Sequence, residues 1–299
     1  MKILVTGSSG FIGNTVMERL KAEGHEVVPF DILLGNDMLD YEQVEKAVAD
    51  GIEVVYHIAA QADLTKIKTV EDARTATLLN VEGAHNFAAA CAKHNAWIIY
   101  ASTCCVYGNQ ETHPEHEDAT LPKPSELYAA TKLAGEEIIQ GYGANFGLKY
   151  TILRFATIYG PGMREALAVH VFFKQAYDGE NITVHGTGEQ DRTQTYIDDL
   201  VDGIVAAAKH PESQGHVINL SAEKAVSALK MAEDIKKVVG SSSEIVFITD
   251  RPNQTYHEDF STEKAKSLLG GWTAKTPWEE GLKKTAAWLE ETKGYKKPV

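Results

Sequence analysis

Cysteine is scarce in this 299-residue chain: there are three, Cys91, Cys104 and Cys105, and two of them are adjacent. An odd count, with neighbours whose direct disulfide would be strained, excludes a secreted disulfide scaffold, and the thiols are expected to be reduced. Basic residues are also in deficit, 29 Lys and Arg against 42 Asp and Glu, for a formal charge of -13. Nucleic-acid binding relies on clustered cations and the counterions they displace, which sets that class aside. Any anionic ligand must be held locally, by a few arginines or by backbone amides. Long apolar runs are missing: nowhere do about eighteen apolar residues follow one another to span a bilayer, and the run before Gly7 is too short for a signal peptide. Cytoplasmic residence without membrane contact is the expectation. With no second cysteine pair and no ligand-like histidine spacing, no metal site is expected either.

What is present is 43% hydrophobic residues, enough for one large core or two unequal ones. Apolar runs rich in Val and Ile at 2–6, 26–30, 53–58, 97–101 and 149–155 read as strands. Helical spacing fills 11–21, 41–49, 72–93 and 128–146 between them. Strands apolar throughout and separated by helices predict a doubly wound α/β fold, a parallel sheet covered on both faces with ligands at its carboxyl edge. Beyond Gly160-Pro-Gly162 the pattern loosens, with helices at 168–178 and 198–209 and strands at 181–185 and 217–220. The last eighty or so residues, with further elements at 227–239, 245–249, 261–269 and 279–291, predict a smaller C-terminal α/β lobe. The longest polar connection, 108–126, holds Pro114, Pro122 and Pro124 and reads as a loop over a site.

The first strand runs into Thr6-Gly-Ser-Ser-Gly-Phe-Ile-Gly13 and then directly into a helix. Glycines at 7, 10 and 13 permit a tight turn, close approach of a pyrophosphate and close helix packing, and the helix start offers amides to phosphate. Asp31 ends the second strand, where it can accept from adenosine ribose hydroxyls and repel a 2'-phosphate. Residues 32–38 contain no Arg or Lys to receive that phosphate, so NAD is expected over NADP. A solvated strand-end acid is the alternative for Asp31. Tyr128-Ala-Ala-Thr-Lys132 places a phenol and an ammonium four apart on one helix face. A phenol near its ordinary value of about 10 is a poor base, and a nearby cation brings it into working range. A surface Tyr beside a solvated Lys is the bland alternative.

Taken in order, Thr6 to Gly13, Asp31, His57-Ile-Ala-Ala60, Asn80-Val-Glu-Gly83, Ser102 to Gly108 and Tyr128 to Lys132 resemble the extended short-chain dehydrogenase/reductase family, specifically its nucleotide-sugar epimerases and dehydratases. The resemblance continues through Arg154-Phe-Ala-Thr-Ile-Tyr-Gly-Pro161, Gly186 to Arg192, Tyr196-Ile-Asp-Asp199, Arg251-Pro252 and Leu269-Gly-Gly-Trp272. It implies a Rossmann NAD-binding domain of residues 1–161 and 194–220, and a nucleotide-sugar lobe of 162–193 and 221–299. It also implies that Thr103, Tyr128 and Lys132 are catalytic, Thr103 bonding the reacting hydroxyl, and that Tyr128 and Lys132 also contact the cofactor, Lys132 holding the nicotinamide ribose. The cofactor would lie against Gly7, Gly10, Phe11, Ile12 and Gly13, with Asp31, Asp37 and Met38 at its adenosine end and Ala59, Ala60 and Gln61 along it. Arg192 and Arg251 fall where the family grips the diphosphate of a UDP-sugar, and the helices at 72–93 and 128–146 where it pairs subunits into a homodimer.

Cys104 and Cys105 stand where members that eliminate water carry Asp-Glu and decarboxylating members carry Glu second. A thiol near its ordinary value of about 8.5 supplies neither acid nor base well, so the pair reads as small filler beside Thr103. The activity implied is 4-epimerisation of a UDP-hexose through a transient 4-keto sugar. Thr157 and Arg164, in Thr157-Ile-Tyr-Gly-Pro-Gly-Met-Arg164, are similar to the UDP-glucuronate 4-epimerase pattern and slightly favour that substrate over UDP-glucose, although Glu165-Ala-Leu-Ala168 departs from it, and an interlobe salt bridge is the alternative for Arg164. Gln194 replaces a usual aromatic and Asn253-Gln254 a usual Gly-Asp, which leaves uridine contacts open. A dehydratase, a 4-ketoreductase and a non-catalytic NAD-binding sensor remain alternatives. His57 is expected as a packed strand-end residue, and His113 and His116 as exposed.

Overall fold

The computed structural model describes residues 1–63, 66–110, 113–124, 126–250 and 256–297. Its centre is a six-stranded sheet in the order β2-β1-β3-β4-β5-β9, built from Lys2–Thr6, Glu26–Phe30, Val54–His57, Trp97–Thr103, Tyr150–Phe155 and His216–Leu220 as β1 to β5 and β9. Every pairing is parallel. Successive side chains of β1 point to opposite faces. Ile3 and Val5 join one core cluster and Leu4 the other, each fully buried. Burying a side chain of this size contributes about 1.5–3 kcal/mol. The central β4 is buried along all seven residues, whereas β2 is an edge strand, which is why Pro29 is tolerated there.

Helices α2 (Tyr41–Ala49), α4 (Gly83–His94) and α5 (Leu127–Phe146) cover one face through Val44, Phe87 and Ile139. The other face is covered by α1 (Phe11–Ala22) and α7 (Ile197–Lys209), through Val16, Leu20, Leu200 and Ile204. This core continues without a break into the C-terminal lobe, whose α6 (Ala168–Asp178), α8 (Ala228–Val239) and α10 (Trp278–Lys293) contribute Phe173, Ile235 and Leu289.

The long helix expected over 72–93 is interrupted. Val70–Thr77 (α3) and α4 are joined by a π turn at Leu78–Glu82. The buried Asn80 in that turn binds Gln61 through both ends of its amide, accepting from the Gln61 N–H at 2.7 Å and donating to its carbonyl at 3.2 Å, and donates also to the Thr131 hydroxyl at 2.9 Å. A π insertion of this kind often marks a functional segment.

Of the span 194–220, β9 enters the central sheet, but Asp191–Tyr196 (β8) pairs with Thr157–Tyr159 (β6) and Ala225–Ser227 (β10) in a separate three-stranded sheet. Ile182–His185 (β7) pairs with Ile245–Ile248 (β11) in a third. The proline-rich loop is tied to the lobe: the Glu115 N–H donates to the Asp259 carbonyl at 2.7 Å and the Ser261 N–H to that of Glu115 at 2.9 Å. Among the described residues no helix is long and apolar enough to cross a membrane.

Candidate active site

The strand order reverses around β1: β2 lies on one side of it and β3 on the other, which opens a crevice at their carboxyl ends. Gly7 turns there at φ +65°, and a Cβ on it would meet the Ala59 backbone at 3.0 Å. A Cβ on Gly13 would lie 2.1 Å from the Gly7 carbonyl oxygen, so α1 packs on the loop only because residue 13 has no side chain. Gly10 precedes α1 and supplies no side-chain cap, which leaves the positive end of the helix facing the loop. Asp31 accepts from the Ser9 and Leu33 N–H groups, each at 3.0 Å, and so its carboxylate is oriented against the glycine turn. Asp37 accepts from the Leu39 N–H at 2.9 Å, and the Met38 thioether packs where a Cβ on Gly83 would come within 2.8 Å of its sulfur.

From this turn a cavity of about 690 Å³ runs across the carboxyl edge of the sheet. Gly7, Gly10, Phe11, Ile12 and Gly13 line one end, Ala59, Ala60 and Gln61 its flank, and Thr103, Tyr128, Thr157 and Arg164 the other end. The structure thus brings nine of the expected cofactor residues, Tyr128 among them, together with Thr103, Thr157 and Arg164 around one space, while Lys132 lies outside its lining. Asp31, Asp37 and Met38 group at the end of β2, outside its lining. Arg251 lies outside the described residues, as do Asn253 and Gln254.

Tyr128 stands in the first turn of α5 and lines the cavity together with Thr103. Thr103 accepts from the Cys105 N–H at 3.1 Å. Removal from water, with the Cys105 thiol alongside, pushes the Tyr128 phenol well above its ordinary value, against the opposing effects of Arg164 and Thr103. Lys132, one turn further and 1% exposed, is pushed down to about 7 by burial, opposed by Glu136. Its ammonium sits 4.0 Å from the centre of the Tyr100 ring. Without ligand both groups are driven towards their neutral forms, and the cation opposing the rise of the phenol is Arg164.

Behind them lies a buried polar network. The Glu136 carboxylate accepts from Ser102 Oγ, from Arg154 Nε at 3.0 Å and from Arg154 Nη2 at 2.7 Å. Arg154 donates in turn to the Tyr107 hydroxyl at 2.9 Å, and Tyr107 to Asn219 at 2.8 Å. His57 is packed as expected. Burial pushes it down to about 3, and its Nδ1 lies 3.0 Å from the Thr6 hydroxyl, which accepts from the Ala59 N–H at 2.9 Å. His113 pairs with Glu115 at 3.1 Å and packs edge-on against His257, which is more contact than an exposed loop residue would make.

Burial raises the Cys104 thiol well above its ordinary value, and Cys105, an exposed residue in the cavity lining, is raised by partial loss of water around its thiol, so neither is a thiolate near neutrality. Among the described residues no group of three or more His, Cys, Asp or Glu side chains is placed to hold a metal ion. Arg192 does not line the cavity. Its Nε lies 3.2 Å from the Glu258 carboxylate, and its Nη1 donates to the Asp191 carbonyl at 2.6 Å. Glu258 does line the cavity, and sequence reasoning passed over it. An acid between His257 and Asp259 carries no spacing signal, and only the fold brings it opposite Cys105. Asn80 was visible in a motif, but its clamp on Gln61 was not.

A model of the NAD dependent epimerase/dehydratase family matches residues 3–221. The chain is similar to an uncharacterised UDP-glucose epimerase, YtcB, of Bacillus subtilis (strain 168), at 30% identity over 97% of this chain and 98% of that protein. It is similar also to UDP-glucuronic acid decarboxylase 1 of Xenopus tropicalis, at 30% identity over 95% of this chain and 71% of that one. Among solved structures, the UDP-glucuronic acid 4-epimerase of Bacillus cereus in complex with UDP-glucuronic acid and NAD superposes with a TM-score of 0.89 at 30% identity, covering 97% of this chain and 99% of that one.

Proposed function

From the premise that this chain belongs to the NAD-dependent epimerase/dehydratase family, we propose that it is a UDP-hexose 4-epimerase that favours UDP-glucuronate over UDP-glucose. The observation that carries this reading is one cavity lined by the glycine turn at one end and by Thr103, Tyr128 and Arg164 at the other. The turn fits a dinucleotide: it is closed to side chains at Gly13 and backed by a helix end without a side-chain cap. The amides of that end would hold the pyrophosphate, and Asp31, already oriented by two backbone donors, would accept from the adenosine ribose. Bound NAD would supply the reversible acceptor for the hydrogen on the sugar C4.

The chain's own residues handle the proton. Tyr128, beside Thr103 in the cavity lining, would take it from the C4 hydroxyl, a role worth about 10²–10⁴ in rate for a positioned base. Because burial raises the phenol, the base form depends on positive charge around it: Arg164 here, and Lys132 once anionic ligand groups favour its ammonium form. Arg164 bears electrostatically on Tyr128 and lines the same cavity, so a hexose with its C4 hydroxyl at Tyr128 would bring the neighbouring C6 carboxylate within its reach. The thiols at 104 and 105, held neutral, offer no acid or base for elimination.

A second reading, loss of carbon dioxide or water from the keto sugar, is favoured by Glu258, a carboxyl that reaches the cavity from the C-terminal lobe. Incubating the NAD-loaded protein with UDP-glucose and UDP-glucuronate and separating the products distinguishes them. C4 epimers, abolished by Tyr128→Phe, are expected. A UDP-pentose or a 4-keto-6-deoxy sugar as the main product would replace this reading with the second.

A further inference from the structure

Glu258 is held in place from several sides. Its N–H donates to Asp191 at 3.0 Å, and the next residue, Asp259, donates its N–H to the Glu115 carboxylate at 3.3 Å and accepts from the Glu115 N–H at 2.7 Å. Its carboxylate pairs with Arg192 Nε at 3.2 Å and accepts from the Thr193 N–H at 3.3 Å. The side chain is only 13% exposed, and what exposure it has is into the cavity that holds Tyr128 and Arg164. The register of β6 and β8 sets Gln194 opposite Thr157, and registered partners share a sheet face. Thr157 lines the cavity, so Gln194 stands on the cavity side of that sheet. Its side-chain oxygen is buried and has no hydrogen-bond partner among the described residues. On this wall the lining residues Glu258 and Thr157 offer acceptors, with Gln194 buried behind them.

We propose that Glu258 is a specificity-determining residue that reads the charge of the bound sugar: ionised, it accepts from the hydroxyls of a neutral hexose, and an acidic hexose enters beside it only with uptake of a proton. This rests on the UDP-hexose reading and deepens it, because C6 preference then depends on pH. Burial pushes Glu258 up to about 7, with Glu115 and Asp191 adding to the rise and Arg192 opposing it. Other ionisable groups around it are the Cys104 and Cys105 thiols, which stay neutral well past this range, Tyr128, Lys66 and Arg164 in the cavity lining, and His257, which bonds the same Asp191 carboxylate. Sugar carboxylates and diphosphates are ionised throughout it. A carboxyl that must stay protonated beside an anionic ligand costs binding as pH rises through its free value, by up to about tenfold per unit. A neutral hexose meets no such cost.

The test is calorimetric binding of UDP-glucose and UDP-glucuronate to the NAD-loaded protein at about pH 6 and about pH 8.5, read as the ratio of the two dissociation constants. The ratio cancels everything common to the nucleotide and diphosphate. It is expected to move against UDP-glucuronate by about tenfold in the parent and by less than about threefold in Glu258→Gln, whose amide oxygen can still accept from Arg192 and Thr193. Lys132, also poised near 7, contributes in the same direction and accounts for the residue of the effect in that variant. A ratio flat with pH in the parent, or one that moves equally in the variant, overturns the proposal. Formation of C4 epimers in the same samples bears on the epimerase reading alone.

Discussion

Replacing Glu136 by Gln would remove one charge from a pair that has no other means of neutralisation. Arg154 and Glu136 meet through two contacts, at 2.7 and 3.0 Å, with side chains 4% and 1% exposed. The amide would keep one acceptor but turn an NH₂ group towards a guanidinium or towards Ser102, leaving a buried cation uncompensated. Removing one partner of such a pair costs about 3–5 kcal/mol, a large part of the 5–15 kcal/mol typical of a folded domain. At about 2–4 °C per kcal/mol, the thermal midpoint should fall by about 6–20 °C. Circular dichroism of the parent, Glu136→Gln, Arg154→Met and the double variant measures it. The double variant should lose less than the sum of the singles, because it leaves no orphan charge. Glu136 also opposes the fall of Lys132, so the ammonium of Glu136→Gln should titrate lower still. A Glu136→Gln protein within about 1 kcal/mol of the parent would refute the reasoning, since it would mean that water reaches a site placed here in the dry core.

Lys132→Met tests the other buried charge: the folded value of Lys132 lies near 7 against an ordinary 10.5, so between these limits the unfolded chain binds more protons and stability rises with pH, while below 7 the full penalty of the buried ammonium applies. Urea midpoints of the NAD-free protein should therefore rise from pH 7 upwards in the parent and lose that part of the rise in Lys132→Met. Parallel pH profiles would contradict it. Arg164→Ala should lower kcat/KM for UDP-glucuronate by about 10–100-fold more than for UDP-glucose, the worth of a charge-assisted contact to carboxylate. Equal losses on the two sugars would remove the carboxylate argument and leave Arg164 acting on Tyr128 alone.

The strands of the central sheet were legible because each is a short apolar run buried on both faces, as with Trp97-Ile-Ile-Tyr-Ala in β4. The three-stranded sheet of the lobe was not. Asp191-Arg-Thr-Gln-Thr-Tyr196 is polar along its length, yet its last four residues are buried, because their partners come from Thr157–Tyr159 and Ala225–Ser227, far away in sequence. The same long-range dependence hid the break at Leu78–Glu82. Helical periodicity runs through 72–93 without interruption, and what opens the turn is Asn80 reaching across to Gln61 and Thr131. Site residues followed the same division. Gly13, Tyr128 and Lys132 carry local spacing and could be found, but Glu258 has its meaning only from Arg192 and Cys105, which tertiary structure sets beside it.

The ionisable groups so assembled share one tendency, and it constrains how the site can work. Burial raises Tyr128 and Glu258 and lowers Lys132, so without ligand each is drawn towards its uncharged form. Arg192 is already committed to Glu258, which leaves Arg164 as the guanidinium lining the cavity. An anionic ligand entering this space reverses the balance: it favours the ammonium form of Lys132 and protonation of Glu258, and it competes with Glu258 for Arg192. Ligand binding and proton uptake are therefore expected to be coupled, and the charge that would make Tyr128 the proposed base is assembled only when the cavity is full. An acidic chain with few cations near its cavity can in this way bind a diphosphate and still keep its phenol protonated until a sugar hydroxyl is there to react.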